Sequence, residues 1–119
     1  MPEPQSGSFV VHRVRDIQVI EFMTDALLDQ ANIERLGDDL AELVAKSGHP
    51  KIVISFANIE HVSSAVLGIL IATHKQVKKM RGELRLASIS ERIYEVFKIT
   101  RMDKMLKIYE SPEVALLKF

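Results

Sequence analysis

The chain has 119 residues, 47% apolar and 27% charged, with 16 basic and 16 acidic side chains and no cysteine. That length carries one hydrophobic core and not two, the neutral total argues against nucleic acid as the main partner, and the absence of cysteine excludes disulfides, thiolate metal sites and cysteine nucleophiles. No apolar run approaches the roughly 20 residues of a bilayer span, and the start lacks a secretory pattern, so the composition predicts a cytoplasmic protein with no membrane partner.

Residues 1–8, with Pro2, Pro4 and Gly7, have little to bury and read as a flexible leader; residues 9–119 read as one domain. Phe9 to Val14 and Ile17 to Phe22 are two β-rich runs separated by Arg15-Asp16, a spacing that predicts a hairpin with its first strand at a sheet edge. Asp29 and Asn32 each offer an N-cap to a helix whose apolar positions Ile33, Leu36, Leu40, Leu43 and Val44 follow the helical period. That helix stops at Ser47-Gly48 with Pro50 beyond, and its other face, with Glu34, Asp38, Asp39 and Glu42, is acidic.

Ile52-Val53-Ile54-Ser55-Phe56 is short, β-branched and almost unbroken in its apolarity, as a central parallel strand covered on both faces would be. It breaks at Ile59-Glu60-His61-Val62-Ser63-Ser64 and restarts as a helix loaded with Val66, Leu67, Ile69, Leu70 and Ile71. The two serines sit at the tip of that helix, where one hydroxyl suffices to cap backbone N–H groups that lack partners within the helix. The second hydroxyl is left over, at the positive end of a helix dipole where a phosphate would be tolerated.

Gly82 supplies the stop of this helix, and Gly68 reads as a buried helix position closely approached by a neighbouring element. Glu83 to Ala87 is a strand, and Ser90 caps a short helix burying Ile93, Val96 and Phe97. Leu106 to Tyr109 is a last strand. Ser111-Pro112-Glu113 opens a closing helix with Val114, Leu116 and Leu117 on its buried side. Strands alternating with helices after a hairpin predict an α/β domain with a mixed, mostly parallel β-sheet and packed α-helices.

A catalyst would show a nucleophile with its base, paired carboxylates, a metal cluster or a glycine-rich phosphate cradle, and none is recognisable, so no enzyme activity, metal or cofactor is expected. His12, His49, His61 and His74 are scattered without metal spacing, and each reads first as an ordinary surface or half-buried imidazole. His61 adjoins the serine step and could tune its charge near neutral pH, although packing or hydrogen bonding is its plainer role. Met80, Met102 and Met105 read as core filler.

Charge is unevenly divided. Residues 1–60 hold 5 of the 16 basic and 10 of the 16 acidic side chains, leaving 11 and 6 for residues 61–119. Lys75, Lys78, Lys79 and Arg81, and beyond them Lys98, Arg101, Lys104 and Lys107, read as solvated faces.

The step resembles the signature of the STAS domain family of anti-sigma factor antagonists, whose pattern runs apolar-Asp-Ser-Ser/Thr/Ala-Gly-Leu-Gly-apolar-Leu. Val62 takes the apolar position, Ser64 the serine that family members have phosphorylated, Ala65 the variable small residue, and Leu67-Gly68-Ile69-Leu70 follow in register. Ser63 stands where the family has Asp, and Val66 where it has Gly. Leu28-Asp29 resembles the pair that precedes the family's first helix. Ser90, Phe97 and residues 99–103 are similar to its C-terminal serine, phenylalanine and hydrophobic turn, and residues 111–116 to its closing helix.

The resemblance implies a single STAS-like domain that binds an anti-sigma factor of the serine-kinase type through Asp29, Ser63, Ser64, Ala65 and Val66. Phosphorylation of Ser64 would switch that binding off, and a PP2C-type phosphatase would restore it. A STAS scaffold module acting without phosphorylation is the alternative. A small-ligand or lipid sensor is a third reading, and it would need an apolar cavity.

Overall fold

The computed structural model describes residues 9–22, 30–57, 59, 61–117 and 119. The leader read at residues 1–8 and the loop holding Leu28 and Asp29 lie outside the described residues. Strand β1 (Phe9–Val14) and strand β2 (Ile17–Phe22) form the antiparallel hairpin, with Arg15 at φ 57° in the turn. Helix α1 (Gln30–Ala45), strand β3 (Lys51–Ser55), helix α2 (Ser64–Lys79), strand β4 (Glu83–Ala87) and helix α3 (Glu91–Ile99) follow. A four-residue helix α4 (Met102–Met105), strand β5 (Lys107–Tyr109) and helix α5 (Pro112–Leu116) complete the order.

The sheet runs β1-β2-β3-β4-β5, so the first strand is at the edge and the third is central, as its apolar run required. Every pairing after the hairpin is parallel: Val19 is opposite Val53, Val53 opposite Arg85, and Arg85 opposite Lys107. Because strand side chains alternate, Ile20, Ile52, Ile54, Leu84 and Leu86 point to one face, where they pack with Leu36, Leu40, Leu70, Ile93 and Phe97 from the first three helices. Phe56 joins this core edge-to-face with Phe22 at 5.3 Å and with Phe97 at 6.4 Å between ring centroids. The opposite face is smaller; there Ile17, Val19, Val53 and Ala87 are covered by Ala115 of α5, with Tyr109, Leu116 and Phe119 at the margin.

Several local readings are corrected. Asn32 lies inside α1 and not at its start. At the end of α2, the left-handed residue is Arg81, at φ 61°, and the N–H of Gly82 then closes the end on the carbonyl of Val77 at 2.9 Å. Gly82 is needed for space: a Cβ there would lie 2.8 Å from Cγ and 2.9 Å from the carbonyl carbon of Pro50. Gly68 is exposed, and a Cβ added there would meet no atom within 4 Å, so no neighbouring element comes close to it. In α5 it is Ala115 that is buried, whereas Val114 and Leu117 are exposed, because one helical turn can aim only one position at the sheet. Met102 fills the core as read, while Met105 is exposed.

Candidate functional site

The step between β3 and α2 has a local cause. Ser55 ends the strand, Phe56 bonds its N–H to the Ala87 carbonyl at 2.9 Å, and Ile59 bonds back to Phe56 at 2.9 Å. These bonds and the buried Phe56 and Ile59 side chains hold the connection at the carboxyl ends of the parallel strands. Asn58 and Glu60 lie outside the described residues.

Ser63 is the N-cap of α2, with extended backbone at φ −89° and ψ 164°. Its Oγ accepts from the Val66 N–H at 3.4 Å, and its carbonyl accepts from Val66 at 3.1 Å and Leu67 at 3.3 Å. Ser64 is the first helical residue. Its side chain is exposed, and its hydroxyl has no hydrogen-bond partner among the described residues. The division read from sequence, one serine for the cap and one left over, is therefore present in the geometry.

Ala65 is exposed beside Ser64, while Val66 is 0% exposed and packs in the core. Among the described residues the exposed side chains of the step are thus His61, Ser63, Ser64 and Ala65, and the methyl groups of Val66 face the core. Asp29 cannot be placed with them, since it lies outside the described residues. His61 is exposed two residues before the cap.

A groove of about 450 Å³ between α1 and α2 starts at Ala65 and runs along Ile33, Gly37 and Ile69. Sequence reasoning took this side of α1 only as an acidic face. The signal it missed was Gly37, where a Cβ would meet Ile69 at 3.4 Å, so the glycine lets the two helices approach.

The step offers the Ser64 oxygen, and among the described residues no base is bonded to it. Among the described residues no group of three or more His, Asp and Glu is arranged to hold a metal, and no helix is long and apolar enough to cross a membrane. What the site does have is an exposed hydroxyl at the positive end of a 16-residue helix, flanked by the small side chains of Ser63 and Ala65.

The STAS domain family model matches residues 9–115. The chain is 30% identical over 93 residues to BtrV of Bordetella bronchiseptica, a candidate anti-sigma factor antagonist, covering 78% of this chain and 79% of that one. In fold it is similar to an anti-sigma-factor antagonist (STAS) domain protein from Planctomyces limnophilus, with a TM-score of 0.82 at 22% identity over 92% of this chain and 95% of that one. It is also similar to the Bacillus cell fate determinant SpoIIAA in its phosphorylated form, with a TM-score of 0.69 at 16% identity over 90% and 96% of the two chains. From the edge strand β1 to the buried Ala115 of α5, this chain belongs to the STAS domain family.

Proposed function

We propose that the chain is an anti-sigma factor antagonist that binds an anti-sigma factor of the serine-kinase type and is switched off by phosphorylation of Ser64. The observation that carries this reading is the exposed, unbonded Ser64 hydroxyl on the first turn of α2, with Ser63 already serving as the cap. The kinase would transfer the γ-phosphoryl group of ATP to Oγ, releasing ADP and the hydroxyl proton. A PP2C-type phosphatase would hydrolyse the ester and restore binding. The chain itself is the substrate and not the catalyst, acting in the cytoplasm.

Phosphate adds about −1.5 to −2 charges to a surface that now presents hydroxyl and methyl groups, so release follows from a local change and needs no refolding. Asp29, Ser63, Ser64, Ala65 and Val66 make up the proposed contact segment, with Val66 setting its backbone from the core. The test is incubation with ATP and the cognate anti-sigma kinase, followed by peptide mass spectrometry. Phosphate on Ser64 that disappears in Ser64→Ala is the expected result. Phosphate on Ser63 alone, or none on the folded protein, overturns the switch. The second outcome favours a scaffold module that binds without modification, a reading supported by Ser63 standing where the family has Asp.

A further inference from the structure

We infer that the chain associates with a second copy of itself, the corner of α3 and α4 in one copy seating in the groove between α1 and α2 of the other. Both halves of this contact are present on one molecule. Ile33 and Gly37 of α1 and Ile69 of α2 form the apolar floor of the groove, and Glu34 and Asp38 stand exposed on its α1 side. Glu34 accepts only a 3.4 Å bond from Gln30, and Asp38 has no cation within 4 Å among the described residues.

The complementary feature lies at the end of α3. Ile99 is 79% exposed, the most exposed large apolar side chain among the described residues, and Met105 of α4 is 43% exposed. Arg101, at φ 62°, turns the chain between them. Lys98, Arg101 and Lys104 are exposed around this knob, and none has a carboxylate within 4 Å among the described residues. A single exposed apolar side chain is ordinary, but Ile99 stands in the stretch 98–105 with three such cations against one acid, Asp103, and is the counterpart in sign of an apolar floor edged by two carboxylates.

Among the described residues the groove is lined by α1 and α2 alone, so α3 does not fill its own chain's groove. The contact joins two different surfaces, and so produces either a reciprocal pair or an open chain of copies. It also covers Ala65, next to Ser64, so a copy seated in the groove stands on the edge of the serine step. A contact made by two apolar side chains and a few charges is weak, with a dissociation constant on the order of 0.1–1 mM.

Sedimentation equilibrium of the full chain up to about 1 mM, in low and high salt, reads the association. The parent should self-associate, and high salt should weaken this about tenfold. Two exposed-site variants separate the halves: Ile99→Glu removes the knob, and Glu34→Lys with Asp38→Lys reverses the groove. Each should be monomeric alone. Mixed together they should form a 1:1 pair, because one supplies an intact groove and the other an intact knob. Dilution NMR on the parent should shift amides of Gly37 and Ile69 together with those of Ile99 and Met105. A parent that stays monomeric at low salt, variants that associate as the parent does, or a mixture that forms no pair overturns the inference.

Discussion

Arg85, on the central part of the sheet, donates a 2.7 Å hydrogen bond to the carbonyl oxygen of Ala115, thirty residues further along the chain. The same nitrogen donates to Leu117 at 2.9 Å, Nε is paired with the Glu83 carboxylate, and the guanidinium lies 4.3 Å from the Phe119 ring and 5.1 Å from the Tyr109 ring. A cation that is 6% exposed is tolerated there because these groups replace water on nearly every side. They also hold α5, a helix of five residues that could not persist by itself, over the smaller face of the sheet.

Arg85→Met is therefore expected to lower unfolding free energy by about 2–4 kcal/mol, since it takes the donor from two carbonyls and leaves the Glu83 carboxylate with Lys107 alone, for the gain of an apolar stem. Urea denaturation measures it. Arg85→Lys should recover less than half of the loss, because an ammonium has no planar fork to hold the Glu83 carboxylate with one arm and the carbonyls with the other while stacking on the rings. A Lys variant as stable as the parent would show that charge alone holds α5.

Two glycines make a matched pair. Gly82→Ala places a methyl group against the Pro50 backbone, whose carbonyl also accepts the Glu83 N–H at 2.9 Å, so neither partner can yield freely. A loss of about 1–3 kcal/mol is expected. Gly68→Ala adds a methyl group to open space in the exposed interior of α2 and should gain about 0.5–1 kcal/mol. Chemical denaturation of both variants decides whether the assignment of close approach to Gly82, and not Gly68, is right.

Stability should fall in two stages on acidification. Burial holds the His74 imidazole below its ordinary 6.5, helped by the Lys78 charge, and its Nδ1 has no hydrogen-bond partner among the described residues. The unfolded chain then takes up this proton first, so the contribution of neutral His74 is lost as pH falls below 6.5. For Glu83, burial raises the carboxyl, but hydrogen bonds and charges from Arg85 and Lys107 outweigh it and hold it below 4.5. Its contribution is present above 4.5 and is lost as pH falls through the folded value. In urea midpoints measured against pH, His74→Leu should flatten the first stage and Glu83→Gln should reduce the second, to which Asp16 and Glu42, held below their ordinary values by hydrogen bonds from Lys51 and Lys46, also contribute.

How far the sequence could be read depended on the length of each signal. The hairpin and the central strand were legible because alternation or unbroken apolarity runs through five or six residues, and the three serine caps because Ser63, Ser90 and Ser111 each precede a helix by one position. Helix α4 escaped because four residues carry no period, and its entry is set by a left-handed Arg101 that nothing local demands. The buried side of α5 was misassigned for a similar reason: hydrophobicity favoured Val114 and Leu117, whereas the single turn sets the small Ala115 against Val53 and Ala87. The bonds of Arg85 to Ala115 and Leu117, and the groove beside Gly37, join residues distant in sequence, so no single segment could announce them.

The two serines of the step should respond oppositely to substitution. Ser63→Ala removes an N-cap, usually worth about 0.5–2 kcal/mol, but its bond to Val66 is long at 3.4 Å and that N–H also has the Ser63 carbonyl at 3.1 Å. The loss should therefore lie near the lower end, about 0.5–1 kcal/mol, with little change in affinity for the cognate anti-sigma factor measured on folded protein. Ser64→Asp puts a carboxylate on the first turn of α2, where it should stabilise the fold by about 0.3–1 kcal/mol. Affinity should nevertheless drop at least tenfold, because the charge occupies the proposed contact surface while no bond among the described residues depends on the Ser64 hydroxyl. Thermal melts and titration calorimetry on the two variants make the comparison. If Ser64→Asp unfolds the domain, or binds like the parent while Ser63→Ala loses binding, the two roles are exchanged and the switch does not reside at Ser64.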